Sequence, residues 1–231
     1  MTFLQIIQAV FKRVNLTSPS SAIGSTDENV IRMIELANEE GEQLASRHDW
    51  QRLISEETHT TLAAESQGLI TAICGSDFDR IRNDTFWNRT QRRRWFPVDD
   101  VQWQRMKASN ITGPDYYFRI RSNELIVQPT PTAGQTLAFE WVSKNWCESS
   151  GGTGQSAWAD DTDVSRLQDK LIIAGLKWRW KHANGLEYAE DFAAYEALVA
   201  DAMVRDGAPR HLNMGGGMPT TRNIPEGDWT F

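Results

Sequence analysis

The groups most able to do chemistry in this chain are its histidines, its carboxylate pairs, its two cysteines and one arginine-rich aromatic run. The four histidines, His48, His59, His182 and His211, stand far apart, none within a helical turn of another and none in an HExxH setting. Spacing of that kind places ligands on one side of a zinc ion, so its absence leaves no metal site and no cofactor to assign. Carboxylates pair at Glu39-Glu40 and at Glu56-Glu57. Glycoside hydrolysis needs two carboxyls flanking the sugar bond, one of them kept protonated by apolar surroundings. Adjacent helical residues point about 100 degrees apart, so at most one of Glu39 and Glu40 could serve a given site. Charged pairs of this kind are ordinarily a solvated face. Cys74 and Cys147 lack partners for a zinc knuckle or a disulfide framework and read as reduced thiols made in a cytoplasm. No GxSxG is present, and Gly151-Gly152-Thr153-Gly154 lacks the Lys-Ser/Thr ending of a phosphate loop. No residue is assigned a catalytic role.

The run from Phe86 to Trp95, FWNRTQRRRW, combines guanidinium groups with flat rings. Such a run suits base stacking or a protein interface anchored by Trp and Arg. The net charge of −7 and pI near 5.2 favour the interface, because phosphate affinity rests on clustered cations that release counterions. Trp87, Arg89, Arg92, Arg93 and Trp95 are the interface candidates, with a plain solvated basic loop as the other use of the run. No apolar stretch approaches the roughly 20 residues of a membrane span, and the opening MTFLQIIQAVFKRVN places its basic pair after its apolar residues. Neither a signal peptide nor an anchor is expected.

The elements that would carry these groups follow from periodicity. With 231 residues, 40% hydrophobic content and ten tryptophans, the chain can bury a sizeable core, or a core plus a small subdomain. Helical spacing predicts a helix at about 2–14 and a longer one at 27–53, opened by a capping box in Ser25-Thr26-Asp27-Glu28. On the long helix, Val30, Ile34, Ala37, Gly41 and Leu44 share a face whose small residues admit a neighbouring helix. Strands are expected at 57–62 and 69–73, in a hairpin turning at Ser122-Asn123 between Phe118/Ile120 and Leu125/Val127, and at 136–142. Residues 86–105 read as irregular with a short helix near 101–108, and 148–159 as a flexible loop. Helices at 163–184 and 186–206 complete a helical hairpin that packs on the first long helix, with Asp161 to Asp163 at the positive end of the former and Gly185 closing it. The fold class expected is mainly α: a helical bundle with a smaller antiparallel β region at about 57–147 and an extended C-terminal arm.

That arm, 207–231, has no period. It holds three consecutive glycines and three prolines, which oppose helix and central strand, yet it also carries Met214, Met218, Ile224, Trp229 and Phe231. An arm that orders on another subunit or partner is the expected use; a loose terminus is the other.

Four segments, in order, resemble one family. They are ELANEEGEQLASRHDWQRL (35–53), NDTFWNRTQRR (83–93), FEWVSKNWC (139–147) and GLKWRWKHANGLEYAEDFAAYEALVADAMVRDG (175–207). Together they resemble the head-to-tail adaptor proteins of tailed bacteriophages, and most closely the adaptor, or tail accessory factor, of short-tailed phages, over residues 1 to about 210. The resemblance implies a structural protein that joins the portal vertex after DNA packaging. It implies a ring matched to the portal's twelve-fold symmetry, a channel through which genomic DNA only passes, and a platform for tail nozzle or tailspike proteins in the virion neck. It implies that 1–206 form the adaptor core and that the arm is the portal-binding part. Two other classes stay open at this stage: a peptidoglycan hydrolase using Glu39, Glu40 or Glu56, and a single-stranded nucleic-acid binder built on Trp87, Arg92, Arg93 and Trp95.

Overall fold

A computed structural model of the chain describes residues 1–109 and 113–207. Its described residues divide into two compact units, one built from Met1–Leu53 together with 144–207, the other from Ile54–Ser143.

The first unit is helical. Helix α1 (Phe3–Arg13) opens with a capping box in which Thr2 and Gln5 satisfy each other's backbone donors, and it buries Phe3, Ile6, Ile7, Val10 and Phe11. Helix α2 (Glu28–Arg47) starts on Asp27, whose carboxylate accepts the Asn29 N–H at 2.8 Å, so a single carboxylate replaces the expected box. It stops six residues before the expected end, at Leu53. The Trp50 indole folds back to donate to the Leu44 carbonyl at 2.7 Å, and a 3-10 turn, Gln51–Leu53, follows. Helices α5 (Asp169–Ala183) and α6 (Ala189–Arg205) pack on each other, and α5 packs on α2 and α1, as the helical hairpin predicts. Gly185, at φ +67, closes α5 in the left-handed conformation that glycine accepts without strain.

Residues 163–168 are not helix. Val164–Ser165 pairs with Cys147–Glu148, which also pairs with Gly154–Gln155, to make a small three-stranded sheet. Asp163 is buried and accepts the N–H groups of Ala159 and Asp160, while Asp161 accepts those of Ala22 and Ile23. Both carboxylates therefore close turns rather than cap a helix, and part of the expected flexible loop is strand.

The second unit overturns the expectation of a mainly α protein with a smaller antiparallel β region. Helices take 40% and strands 24% of the structure, and the strands of this unit form one large curled sheet of eight, a half-barrel. Its strands are β1 (Ile54–Thr60), β2 (Ser66–Leu69), β3 (Phe78–Ile81), β4 (Trp87–Asn88), β5 (Arg93–Pro97), β6 (Tyr116–Arg121), β7 (Glu124–Gln128) and β8 (Thr136–Ser143), with the short helices α3 (Ile70–Cys74) and α4 (Asp100–Ser109) between them. Strand β1 runs along 136–142 of β8, while β3 and β4 share the opposite edge of β8, at Ile81↔Trp141 and Trp87↔Ala138. Strands β5 and β6 are parallel, so the sheet is mixed. Leu137, Phe139 and Trp141, predicted to share one face of β8, all lie in its core with Phe86, Trp95 and Phe118. The 69–73 strand is instead α3, with Ile70 and Cys74 buried one turn apart. The expected helix near 101–108 is α4, but the irregular stretch before it holds β4 and β5.

Candidate functional site

Strands β4 and β5 form a hairpin in which Trp87 faces Arg94 and Asn88 faces Arg93, joined by the turn 89–92. Asn88 holds the turn: it is fully buried, accepts the Gln91 N–H at 2.9 Å and donates to Gln135 Oε1 at 2.7 Å. Arg92 takes the left-handed region at φ +54 in a turn without glycine. The structure divides the aromatic run by depth. Phe86 is stacked on Phe139 at 4.5 Å and on Phe118 at 4.2 Å, and Trp95 is fully buried against Tyr116. Trp87 is half-buried, and Arg89, Arg92 and Arg93 are exposed. Of the five interface candidates, Trp95 belongs to the core, Arg93 donates to the Pro114 carbonyl at 3.2 Å, and Trp87, Arg89 and Arg92 border one side of the sheet.

That side carries a cleft of about 560 Å³, with Trp87, Ala138 and Phe139 among its lining and Glu56, Asp84, Arg89, Arg92 and Glu140 around it. Arg89 pairs with Glu56, Arg94 with Asp84, and Arg82 with Glu140 at 2.6 Å. Among the described residues Arg92 has no ion pair and no hydrogen bond from its side chain.

The carboxylates separate by environment. Glu40 is fully buried among α2, α5 and α6, where Tyr195 Oη donates to Oε1 at 2.5 Å and Arg179 Nε to Oε2 at 2.6 Å. The remaining guanidinium nitrogens reach Glu39 and Gln43, each at 2.6 Å. Burial pushes the Glu40 carboxyl above its ordinary range, against the pull of the hydrogen bonds from Tyr195 and Arg179. Two glycines make room. A Cβ on Gly175 would fall 2.2 Å from the Glu40 carboxyl, and one on Gly41 would fall 2.4 Å from the Trp146 ring. The small residue of α2 thus admits an indole rather than a helix. Both oxygens of Glu40 are engaged and none of it meets solvent, so it cannot protonate a sugar oxygen. Glu39 is half-exposed and tied to Arg179, and Glu56 is tied to Arg89.

The histidines do not converge. His48 lies 3.3 Å from Asp206, His182 packs edge-on against Tyr188, and His59 is half-buried with its pKa lowered by desolvation; His211 lies outside the described residues. Among the described residues no group of three or more His, Cys, Asp or Glu is placed to hold a metal ion, and no helix is long and apolar enough to cross a membrane. Both cysteines are buried free thiols pushed up to about 12 by desolvation.

Sequence reasoning missed the Arg179–Tyr195 setting of Glu40, although Met33, Ala37, Glu40 and Leu44 form the buried stripe of α2 at i, i+4, i+7, i+11. A glutamate in such a stripe signals a buried counter-charge. It missed Asp206 as well. That carboxylate, just past α6, accepts the Gln51 N–H at 2.9 Å beside His48, and Gly207 follows at φ +94. Met214, Met218, Ile224, Trp229 and Phe231 lie outside the described residues.

The family described as SU10 adaptor protein matches residues 1–217. The chain belongs to that family. The match covers both units and all four segments whose order resembled phage adaptors, so a bacteriophage adaptor role is shown for the chain. No curated protein matches it. The family's description, an adaptor protein, is that of a structural role.

Proposed function

We propose that the chain is the head-to-tail connector of a tailed bacteriophage: it joins the portal vertex as a ring after DNA packaging, extends the DNA channel and carries the next tail proteins, nozzle or tailspike. The observation that carries this reading is the SU10 adaptor match over 1–217, which spans both units and continues past Gly207. Three physical features support it. The helical unit is tied by Glu40–Arg179, Arg47–Glu196 and Lys177–Asp191, the interlocked packing that a ring subunit needs. The net charge of −7 suits a channel wall that must let DNA slide rather than grip its phosphates. The arm, with Met214, Met218, Ile224, Trp229 and Phe231, supplies apolar anchors for the portal, and its glycines set an ordering cost that the partner's contacts offset. Portal symmetry sets the copy number, which makes the ring twelve-fold.

The test mixes the purified chain with portal rings of its phage and weighs the product by native mass spectrometry. A stoichiometric complex of about twelve chains per portal is expected, formed far more weakly when 208–231 are deleted. Equal binding by the truncated chain would sink the docking role of the arm, and no complex at all would sink the connector reading.

A further inference from the structure

The β4–β5 hairpin ends in two guanidinium charges that no carboxylate neutralises among the described residues. Arg92 has no ion pair and no hydrogen bond from its side chain, and Arg93 donates only to the Pro114 carbonyl, while Arg89 and Arg94 are matched by Glu56 and Asp84. Both free arginines are exposed, and the half-buried ring of Trp87 borders the same cleft as Arg92.

The helical unit carries the opposite imbalance. Glu28, Glu35 and Glu42 stand seven residues apart on α2, so they line one exposed face over about 21 Å, away from the buried stripe of Met33, Ala37, Glu40 and Leu44. Ile31, 46% exposed, lies on that face between the first two carboxylates. Among the described residues none of the three carboxylates has an ion pair or a hydrogen bond, and Arg32, at the edge of the face, donates to Asn184 Oδ1 at 3.4 Å. Each of these surfaces lies wholly within one unit. Two such helix faces, or two such hairpin ends, would set like charges against each other, whereas a hairpin end against a helix face is complementary.

We propose that the hairpin end of one copy docks on the α2 face of a second copy, with Arg92 and Arg93 against its carboxylates and Ile31 against Trp87. Two different surfaces meet, so the contact is heterologous and repeats from copy to copy. The inference rests on the ring reading and assigns that ring the contact between neighbours.

The test uses the full chain without portal, at the roughly millimolar effective concentration that neighbouring sites on one assembly share. Isotopically heavy chain carrying a photo-crosslinking benzoylphenylalanine in place of Ile31 is mixed with an excess of light, unmodified chain, and the products are mapped by mass spectrometry. Crosslinks are expected on light peptides within 83–97. Arg92→Glu with Arg93→Glu in the light chain should lower their yield at least about fivefold. Glu35→Lys with Glu42→Lys in the heavy chain should do the same, and mixing the two variants should restore crosslinking. All four side chains are exposed, so circular dichroism should be unchanged in each variant. Crosslinks on heavy chain alone, on other light surfaces or on none, a charge swap that restores nothing, or suppression by a single-stranded oligonucleotide would overturn the proposal. A stoichiometric portal complex beside any of those results leaves the connector reading standing and removes only this contact.

Discussion

Arg179 and Glu40 share one buried ion pair, yet replacing them should have unequal consequences. Arg179 has three acceptors, Glu40, Glu39 and Gln43, of which Glu39 is half-exposed, whereas Glu40 has Arg179 as its one hydrogen-bonded cation. Arg179→Met strands a fully buried carboxylate with Tyr195 alone. Removing one partner of a buried pair costs about 3–5 kcal/mol, which for a chain of this length lowers Tm by on the order of 10 °C. Glu40→Gln is milder. Its amide oxygen still accepts from Arg179 Nε, its NH2 can donate to Tyr195 Oη once that hydroxyl turns, and Arg179 keeps Glu39. The change also spares the desolvation of a charge, so a loss below about 1.5 kcal/mol is expected. The folded carboxyl lies above its ordinary value of 4.5. A raised folded value makes its contribution to stability fully present below the unfolded value and lost as pH rises through the folded one. Glutamine does not titrate, so the stability difference should move in favour of Glu40→Gln between about pH 4 and pH 7. Urea and thermal unfolding followed by helical circular dichroism at both pH values give the comparison. If Glu40→Gln costs as much as Arg179→Met at pH 7, or if its deficit widens with pH, attraction rather than burial governs this carboxyl and the reasoning fails.

Three further outcomes follow from packing. Gly175→Ala and Gly41→Ala place a methyl within 2.2 Å of Glu40 and 2.4 Å of Trp146, and each should cost about 1–3 kcal/mol by thermal melting; a neutral result would show that these contacts relax freely. Trp95→Ala should cost about 3–5 kcal/mol because its ring is fully buried, while Trp87→Ala should cost far less and show its effect in binding assays instead. Cys74 and Cys147, buried with pKa values of about 12, should stay silent to a thiol reagent at pH 8 until denaturant is added; prompt labelling of either would contradict their burial.

The four main helices were legible because each is long and keeps one apolar face, as in the buried set Phe3, Ile6, Ile7, Val10 and Phe11 of α1. The errors fell where segments are short. Strands β4 and β5 carry two tryptophans, Asn and two arginines over seven residues, and their turn uses Arg92 at positive φ where a glycine would have announced it. The parallel pairing of β5 with β6 comes from tertiary packing and leaves no local period. Carboxylates at 161 and 163 looked like helix caps because the pattern that follows is helical, but backbone donors of the turns at 22–23 and 159–160 bind them more closely. For the candidate site, composition singled out this hairpin as a candidate without showing that Trp95 turns inward. The Glu39-Glu40 pair was visible, but its counter-charge lay 139 residues away.

Asp206 has a mechanical consequence. Its carboxylate is fastened to the Gln51 N–H and faces His48, and the chain turns away at Gly207 immediately afterwards. A pull applied beyond Gly207 is therefore taken up first by this fastening, at the segment that ends α2, rather than by peeling the last turn of α6. The end of α6 is thereby moored to the turn that follows α2, so load on Gly207 reaches both segments instead of α6 alone.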